Sequence, residues 1–522
     1  MKKHWLALIV MVYICTQLSC FTVSEDLFLE GDQIRKEKKV DVPTQIHLVD
    51  ASYISADKGF SVVGDTVVTD GALVRVGFEP APRRQWRVPI DSIAGVAYTD
   101  NVVTPGSFIV GTLGVIGITA GVVVLAVAIF GSCPTVYAVV DTAEILQAEC
   151  FSHSIGRQFE RSDLDKLNVG GASQGSLSLR IRNEALETHY INSLALGIVE
   201  HPLGTQAYST SDDGIVIVRN IVEPVAAQDS KGRSILPSLQ RRDGVSYQTD
   251  SALTKAMLIG NEMDCIELAV YNPSRSSNAT VLLRVRNTLQ ATVLFYDIML
   301  RDQGPHALEM IEALNSDPFY SWNLGRWYKE VSGIRISVMQ DGDAEFQSKI
   351  YDAGPIAWKD VASSFTVDNT TDTLRIQLSM QPDYWAIDWV GFSFDGSEPV
   401  SFRFAGCSSI RSSTGQRLLQ AEKAVQMADD DYTITNPGDW FDVEFDTTPR
   451  QNMMQTYFLH SQGYYIEWVR GSWLRQDKPM HVFKPSWNKE LRDRLATAWL
   501  TKKNNFEGEF FQQRVRPSGV DR

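Results

Sequence analysis

Short runs with a period of two dominate this chain. Within residues 42–98, apolar and polar positions alternate through 45–49, 60–63, 66–68, 73–78 and 86–90, punctuated by Gly64, Asp65, Asp70 and Gly71. Alternation puts successive side chains on opposite faces of a strand, and Gly/Asp pairs close tight turns, so the stretch predicts a small β-module over 42–100. The pattern resumes beyond residue 131. Residues 176–183 (SLSLRIRN) set Leu177, Leu179 and Ile181 against Ser178, Arg180 and Arg182, which reads as a half-buried strand. Residues 281–287 (VLLRVRN) repeat the phrase Leu-Arg-aliphatic-Arg-Asn, a hint of a duplicated strand. More strands are expected at 334–339, 374–380, 385–394, 400–404, 440–445, 456–459 and 464–469, with turns at Asp341-Gly342, Asp395-Gly396 and Pro437-Gly438. The period changes only over 288–332, where three helices are expected and Phe295, Tyr296, Phe319, Tyr320, Trp322, Trp327 and Tyr328 would pack them on the sheets. The expected fold is therefore mainly β: one β-sandwich-like region over 132–287, a helical insert over 288–332, a second β-sandwich-like region over 333–470, and a basic, aromatic tail over 471–522 with a helix near 488–500.

Two segments break this pattern by being apolar throughout. The N-terminus has Lys2 and Lys3, then an uncharged run over 5–14, then Ser19-Cys20, the parts of a secretory signal over 1–20 followed by a polar tether over 21–41. Ser19-Cys20 resembles the lipobox of bacterial lipoproteins, which implies a lipid on Cys20. Gln17 stands where that motif prefers Leu, so plain cleavage and an uncleaved anchor stay open. Residues 101–140 carry no charge, and 106–130 are almost wholly apolar. At helical rise that centre covers roughly 37 Å, enough to cross a bilayer, and it predicts a transmembrane helix. Gly111, Gly114, Gly117 and Gly121 fall on one face of it, where small residues let a second helix, or a second copy of the chain, pack closely. Neither flank carries a nearby Lys or Arg, so the side of the membrane on which the C-terminal part lies stays open.

Composition narrows the partners. Net charge is −14 over 522 residues, with no basic stripe, which argues against a phosphate-binding, nucleic-acid face. The six Cys form no CxxC and do not pair with His at zinc-ligand spacing, and no metal or cofactor is expected. Cys133 and Cys150 are the closest pair outside the signal and are candidates for a disulfide in an oxidising compartment.

Catalytic strings are scarce. Gly171-Ala-Ser173-Gln-Gly175 matches the form of a nucleophile elbow, but a strand follows it where the elbow needs a helix, so it reads as a turn. Asp341, Asp343 and Glu345 alternate carboxylates without the glycine and span of a calcium loop, and read as a hairpin tip. On a regular strand Trp385, Ile387 and Trp389 share a face, beside Asp388 on the other. Two coplanar Trp near a carboxylate could stack on sugar rings; Tyr464 and Trp468 raise the same question. A central strand buried on both faces is the alternative, with Asp388 satisfied by a backbone N–H or an Arg.

The glycine-rich segment running into Gly-Ser-Cys-Pro-Thr-Val-Tyr (131–137), and the later Gly-Tyr-Tyr-Ile-Glu-Trp (463–468), resemble uncharacterised bacterial envelope lipoproteins. The resemblance implies location and fold, and no activity. The function expected is a membrane-tethered, non-catalytic scaffold or protein-binding component of a bacterial cell envelope, in contact with membrane lipid and with a protein partner or its own copies. A glycan-binding surface module is the alternative, and a glycoside hydrolase whose carboxylates meet only in the fold is the third reading.

Overall fold

Pairing between strands far apart in sequence organises the chain. The computed structural model describes residues 23–49, 52–74, 81–102, 133–140, 143–169, 175–272, 274–340, 342–351, 353–367, 372–395, 400, 402–448, 453–470, 473 and 482–512. Cys20, Ser173 and the segment 106–130 with Gly111, Gly114, Gly117 and Gly121 lie outside these. No helix among the described residues is long and apolar enough to cross a membrane.

The fold is mainly β. The N-terminal strands make one eight-stranded sheet, in the order Val23–Leu29, Ile93–Val102, Thr44–Leu48, Tyr53–Ala56, Thr66–Val74, Phe60–Val63, Lys39–Val40, with Arg84–Pro89 also on Thr66–Val74. It encloses its own core of Ile46, Ile54, Phe60, Val67, Val88 and Val96, capped by Ile34 of the short helix Gly31–Glu37.

The remaining sheets are nested. A nine-stranded sheet takes Thr135–Val140, Ala143–Glu149, Arg161–Lys166, Ser176–Arg182 and Glu187–His201 from one side of the chain, and Arg403–Ser412, Thr433–Thr435, Trp440–Asp446 and Met454–Glu467 from the other. Its longest pairing joins Glu187–His201 to Met454–Glu467. The sheet curls until its edge strands Ala143–Glu149 and Arg161–Lys166 approach, closing around Val136, Leu179, Ile181, Leu196, Val443 and Phe445. The sequence between those two halves folds as a sandwich of two five-stranded sheets. One has the order Ile215–Val218, Gln206–Thr210, Lys359–Thr366, Asn278–Asn287, Trp385–Ser393; the other has Ala226–Gln228, Asp264–Tyr271, Thr373–Met380, Ile334–Gln340, Asp343–Ile350. Sequence periodicity places a boundary at the helical insert, with a separate sandwich on each side. Pairing instead puts 206–393 inside a sheet made from both ends, because alternation fixes which residues face a core and says nothing of which strand lies alongside. The two Leu-Arg-aliphatic-Arg-Asn strands accordingly sit in different sheets.

Helices cover the open end of the sandwich: Leu289–Thr292, a wide π-helical stretch Val293–Leu300, His306–Ser316 and Pro318–Ser332. Asp317 caps the last of these, its carboxylate accepting from the backbone N–H of Phe319 and Tyr320, with Pro318 in the first turn where its missing donor costs nothing. The tail returns as a helix, Lys489–Gln512. Its Trp499 Nε1 and Lys503 Nζ both reach the buried Asp383, Lys502 pairs with Asp297, and Arg494 pairs with Asp302. Lys502, Lys503 and Arg494 of the tail thus pair with carboxylates of the helical layer and of the loop before Trp385–Ser393, while Arg492 donates to the carbonyls of Leu258 and Trp487.

Candidate functional site

The aromatic rings proposed for stacking on sugars are all interior. Trp385, Trp389, Tyr464 and Trp468 are 1 %, 6 %, 6 % and 4 % exposed, which leaves no ring face for a ligand. Trp385 and Trp389 do not share a face either. Opposite Asn278–Asn287, Arg284 pairs with Trp389 and the next residue, Val285, pairs with Ile387, so Asp388 is an extra residue in a β-bulge. The bulge resets the alternation: Trp385, Ile387, Val390 and Phe392 enter the main sandwich core, whereas Trp389 joins Tyr208, Val216 and Leu282 on the outer face. Asp388 accepts from the Gly244 N–H at 2.7 Å and from Arg284 Nε at 3.0 Å, the structural role that was its alternative. Arg284 and Arg242 also share Asp360, and Arg242 lies 4.1 Å over the Trp389 ring. Tyr464 stacks on Tyr190 at 4.6 Å. Trp468 is covered by His47 of the N-terminal sheet, 3.5 Å away and parallel to within 4°, and donates through Nε1 to Thr188. It holds two parts of the protein together.

Cys133 and Cys150 are both buried and are not bridged to each other. They flank one hairpin but face different surroundings. Cys150 lies beside Asp165, and burial pushes its thiol well up; Cys133 lies beside Glu187, Tyr296 and Tyr465.

Those surroundings are the two densest titratable clusters. In the first, Lys359 Nζ stands 2.5 Å from Asp163 and 2.9 Å from Asp165, all three being largely out of solvent. Burial opposes the Lys359 charge, but the two carboxylates outweigh it and raise its pKa. Burial, and then the charge of Asp163, push Asp165 up to about 7. In the second, Glu187 and Glu467 are directly opposed on paired strands, with Arg470 Nη1 2.6 Å from Glu467 and the Tyr296 hydroxyl bonded to it. Burial raises both carboxyls, Glu467 to about 7, and each raises the cost of ionising the other. Paired acids of this kind are what hydrolysis of glycosides uses, but neither pair is among the residues that line the cavity described next. Among the described residues no group of three His, Cys, Asp or Glu is placed to hold a metal ion.

The cavity lies elsewhere, at the seam between the nine-stranded sheet and the helical layer. Its volume is about 610 Å³, within the range of small-molecule sites. The loop after Ala143–Glu149 supplies Ile155 and Phe159, the π-helical stretch supplies Phe295 and Met299, and Pro318–Ser332 supplies Leu324 and Gly325. The wider π turn belongs to the buried, nearly all-apolar VLFYDIML. Asn287 ties in the opposite wall: its N–H donates to Gly354 O, and its Oδ1 accepts from the N–H of Ala353 and Gly354. Gly354 has φ +77°, and a Cβ there would sit 2.6 Å from Glu149 Oε2, so only glycine fits. With Oδ1 used twice, the fully buried Asn287 Nδ2 has no partner.

The polar lining is basic. Arg161, Arg326 and Lys329 line the cavity without a carboxylate partner among the described residues, whereas Glu160, its acid, already accepts from Asn192, Gln462 and Tyr432. Trp322 of the lining stacks on Phe319, the two being 59 % and 72 % exposed, with Arg326 4.8 Å over the indole. These aromatics were expected to pack the helix on a sheet; Trp327 does, but Phe319 and Trp322 face outward. A helical wheel carries that signal, since Phe319, Trp322 and Arg326 recur on one face and Leu324, Trp327 and Val331 on another. His153 and Asn287 carried no local signal, because the wall they line is assembled from segments over a hundred residues apart.

No family model matches the chain, and no curated protein matches it. Among solved structures, it is similar to the GH31 alpha-xylosidase of Xanthomonas citri at 10% identity and a TM-score of 0.15, over 84% of this chain. The match spans 38% of that enzyme, and a likeness this weak carries no argument about activity.

Proposed function

We propose that the protein is a non-catalytic binding component of a bacterial cell envelope, held at the membrane by its N-terminal part, with the cavity as its working site. The observation that carries this reading is the cavity itself: largely apolar walls that include the exposed Trp322, which stacks on Phe319, in a fold whose buried carboxylate clusters do not line it. Exposed aromatics beside an apolar opening are the usual mark of a surface that meets a ligand, a partner or a membrane. The residues 1–20 and 106–130 support the membrane location through their apolar length alone.

The test is native mass spectrometry of the full chain, extracted in mild detergent from the membranes of its own host. The expected result is recovery in the membrane fraction with one small molecule per chain, unchanged in mass on incubation, and loss of that adduct in Phe319→Ser/Trp322→Ser. Recovery in the soluble cytoplasmic fraction, or chemical conversion of the bound molecule, overturns the proposal.

A further inference from the structure

Building on the cavity as the binding site, we infer that its ligand is an anionic amphiphile, an acyl or aryl body carrying one carboxylate or phosphate head. The argument rests on the lining of the cavity. The walls are mostly apolar: Ile155, Phe159, Phe295, Met299 and Leu324 offer a bulky side chain to whatever fills the space. A body without apolar surface would gain nothing from them, since burial contributes roughly 25 cal/mol per Å² only for apolar area.

The polar lining then selects the charge. Arg161 and Lys329 come from different segments yet both act on the same His153 ring, so the three converge on one part of the cavity. None of Arg161, Arg326 and Lys329 has an ion pair among the described residues. Burial, and then the charges of Arg161, Lys359 and Lys329 against the opposing charge of Asp163, keep His153 well below its ordinary pKa, and among the described residues its buried Nε2 has no partner. Asn287 adds an N–H donor that is fully buried and unsatisfied, a condition that normally costs about 1–3 kcal/mol and that an oxyanion would relieve. Cations without counterions and a spare donor suit an anion; they repel a cationic amphiphile and give a neutral one no charge-assisted bond.

Gly325 offers a means of closing the site. A Cβ at this helical position would stand 3.1 Å from the Phe159 ring, so a larger side chain enters the cavity and leaves the helix otherwise intact.

The experiment is isothermal titration of the delipidated full chain with dodecanoate, dodecyl phosphate, dodecanol and dodecyltrimethylammonium, in wild type, Gly325→Leu, and Arg161→Gln/Lys329→Gln. Circular dichroism serves as the check that each variant folds. The expected result is stoichiometric binding of one or both anions, at least tenfold weaker binding of dodecanol, none of the cation, and abolition in Gly325→Leu. Each lost charge-assisted contact is worth about a factor of ten, so the double variant should bind the anions at least tenfold more weakly and dodecanol unchanged. Carboxylate against phosphate preference identifies the head group. If dodecanol binds as tightly as the anions and the double variant changes nothing, the inference fails while the cavity stands as a binding site. If no amphiphile binds, or Gly325→Leu binds like wild type, the cavity is not the binding site and both readings fall.

Discussion

Acidification should loosen the N-terminal sheet from the rest of the protein through one histidine. His47 is 5 % exposed, stacked on Trp468, with Nε2 buried and unpartnered. Burial, and then the charge of Arg470, lower its pKa from 6.5 to about 3. The sign follows from linkage. With the pKa depressed in the docked state, the undocked state binds the proton first, so the stabilisation is present above pH 6.5 and is lost as pH falls toward 3. At pH 5 the undocked ring is protonated and the docked one is not, which costs about 2 kcal/mol, or about a thirtyfold larger open population. Hydrogen exchange of strand Thr44–Leu48, corrected for the intrinsic pH dependence, reads that population directly. His47→Phe is the control, because it keeps a flat ring on Trp468 and cannot titrate. Between pH 8 and pH 5 the wild type should lose about 2 kcal/mol of local protection more than His47→Phe. Other groups, including Glu467, titrate in both proteins and cancel in the comparison. Equal pH dependence in the two would refute the assignment of His47 as a buried, neutral docking residue.

Three other outcomes follow from the same structure. Gly391→Ala should destabilise the fold by about 1–3 kcal/mol, because a Cβ there would lie 2.3 Å from the Trp389 ring; an unchanged urea midpoint would contradict the bulge packing. Lys359→Met leaves Asp163 and Asp165 buried without their cation and should cost about 3–5 kcal/mol, most of it regained by adding Asp163→Asn and Asp165→Asn; full stability of the single variant would show that the cluster is hydrated. Since Asp165 is raised to about 7, its contribution is present below pH 4 and is lost as pH rises toward 7; thermal melts from pH 4.5 to 7.5 should fall more steeply for wild type than for Asp165→Asn.

The sequence by itself determined the local character of the chain. Period-two alternation identified Ser176–Arg182, Ile334–Gln340 and Trp440–Asp446 as strands, and Ile334–Gln340 pairs with Asp343–Ile350 as an antiparallel neighbour. The switch to a helical period located 288–332, and the two readings of Asp388 included the true one, a carboxylate held by a backbone N–H and an Arg. These succeed because period and turn chemistry are properties of neighbours along the chain. Only the tertiary structure decided what depends on residues brought together from afar. A single bulge at Asp388 separated Trp385 from Trp389, and no sequence period records one inserted residue. His47, some four hundred residues from Trp468, covered the ring that looked available for a ligand. Nesting of 206–393 between the halves of the nine-stranded sheet set where the helices meet the loop at Ile155 and Phe159, and so created the cavity. Its cations stand out only because, among the described residues, none of them meets a carboxylate at ion-pair distance, which no run of sequence records.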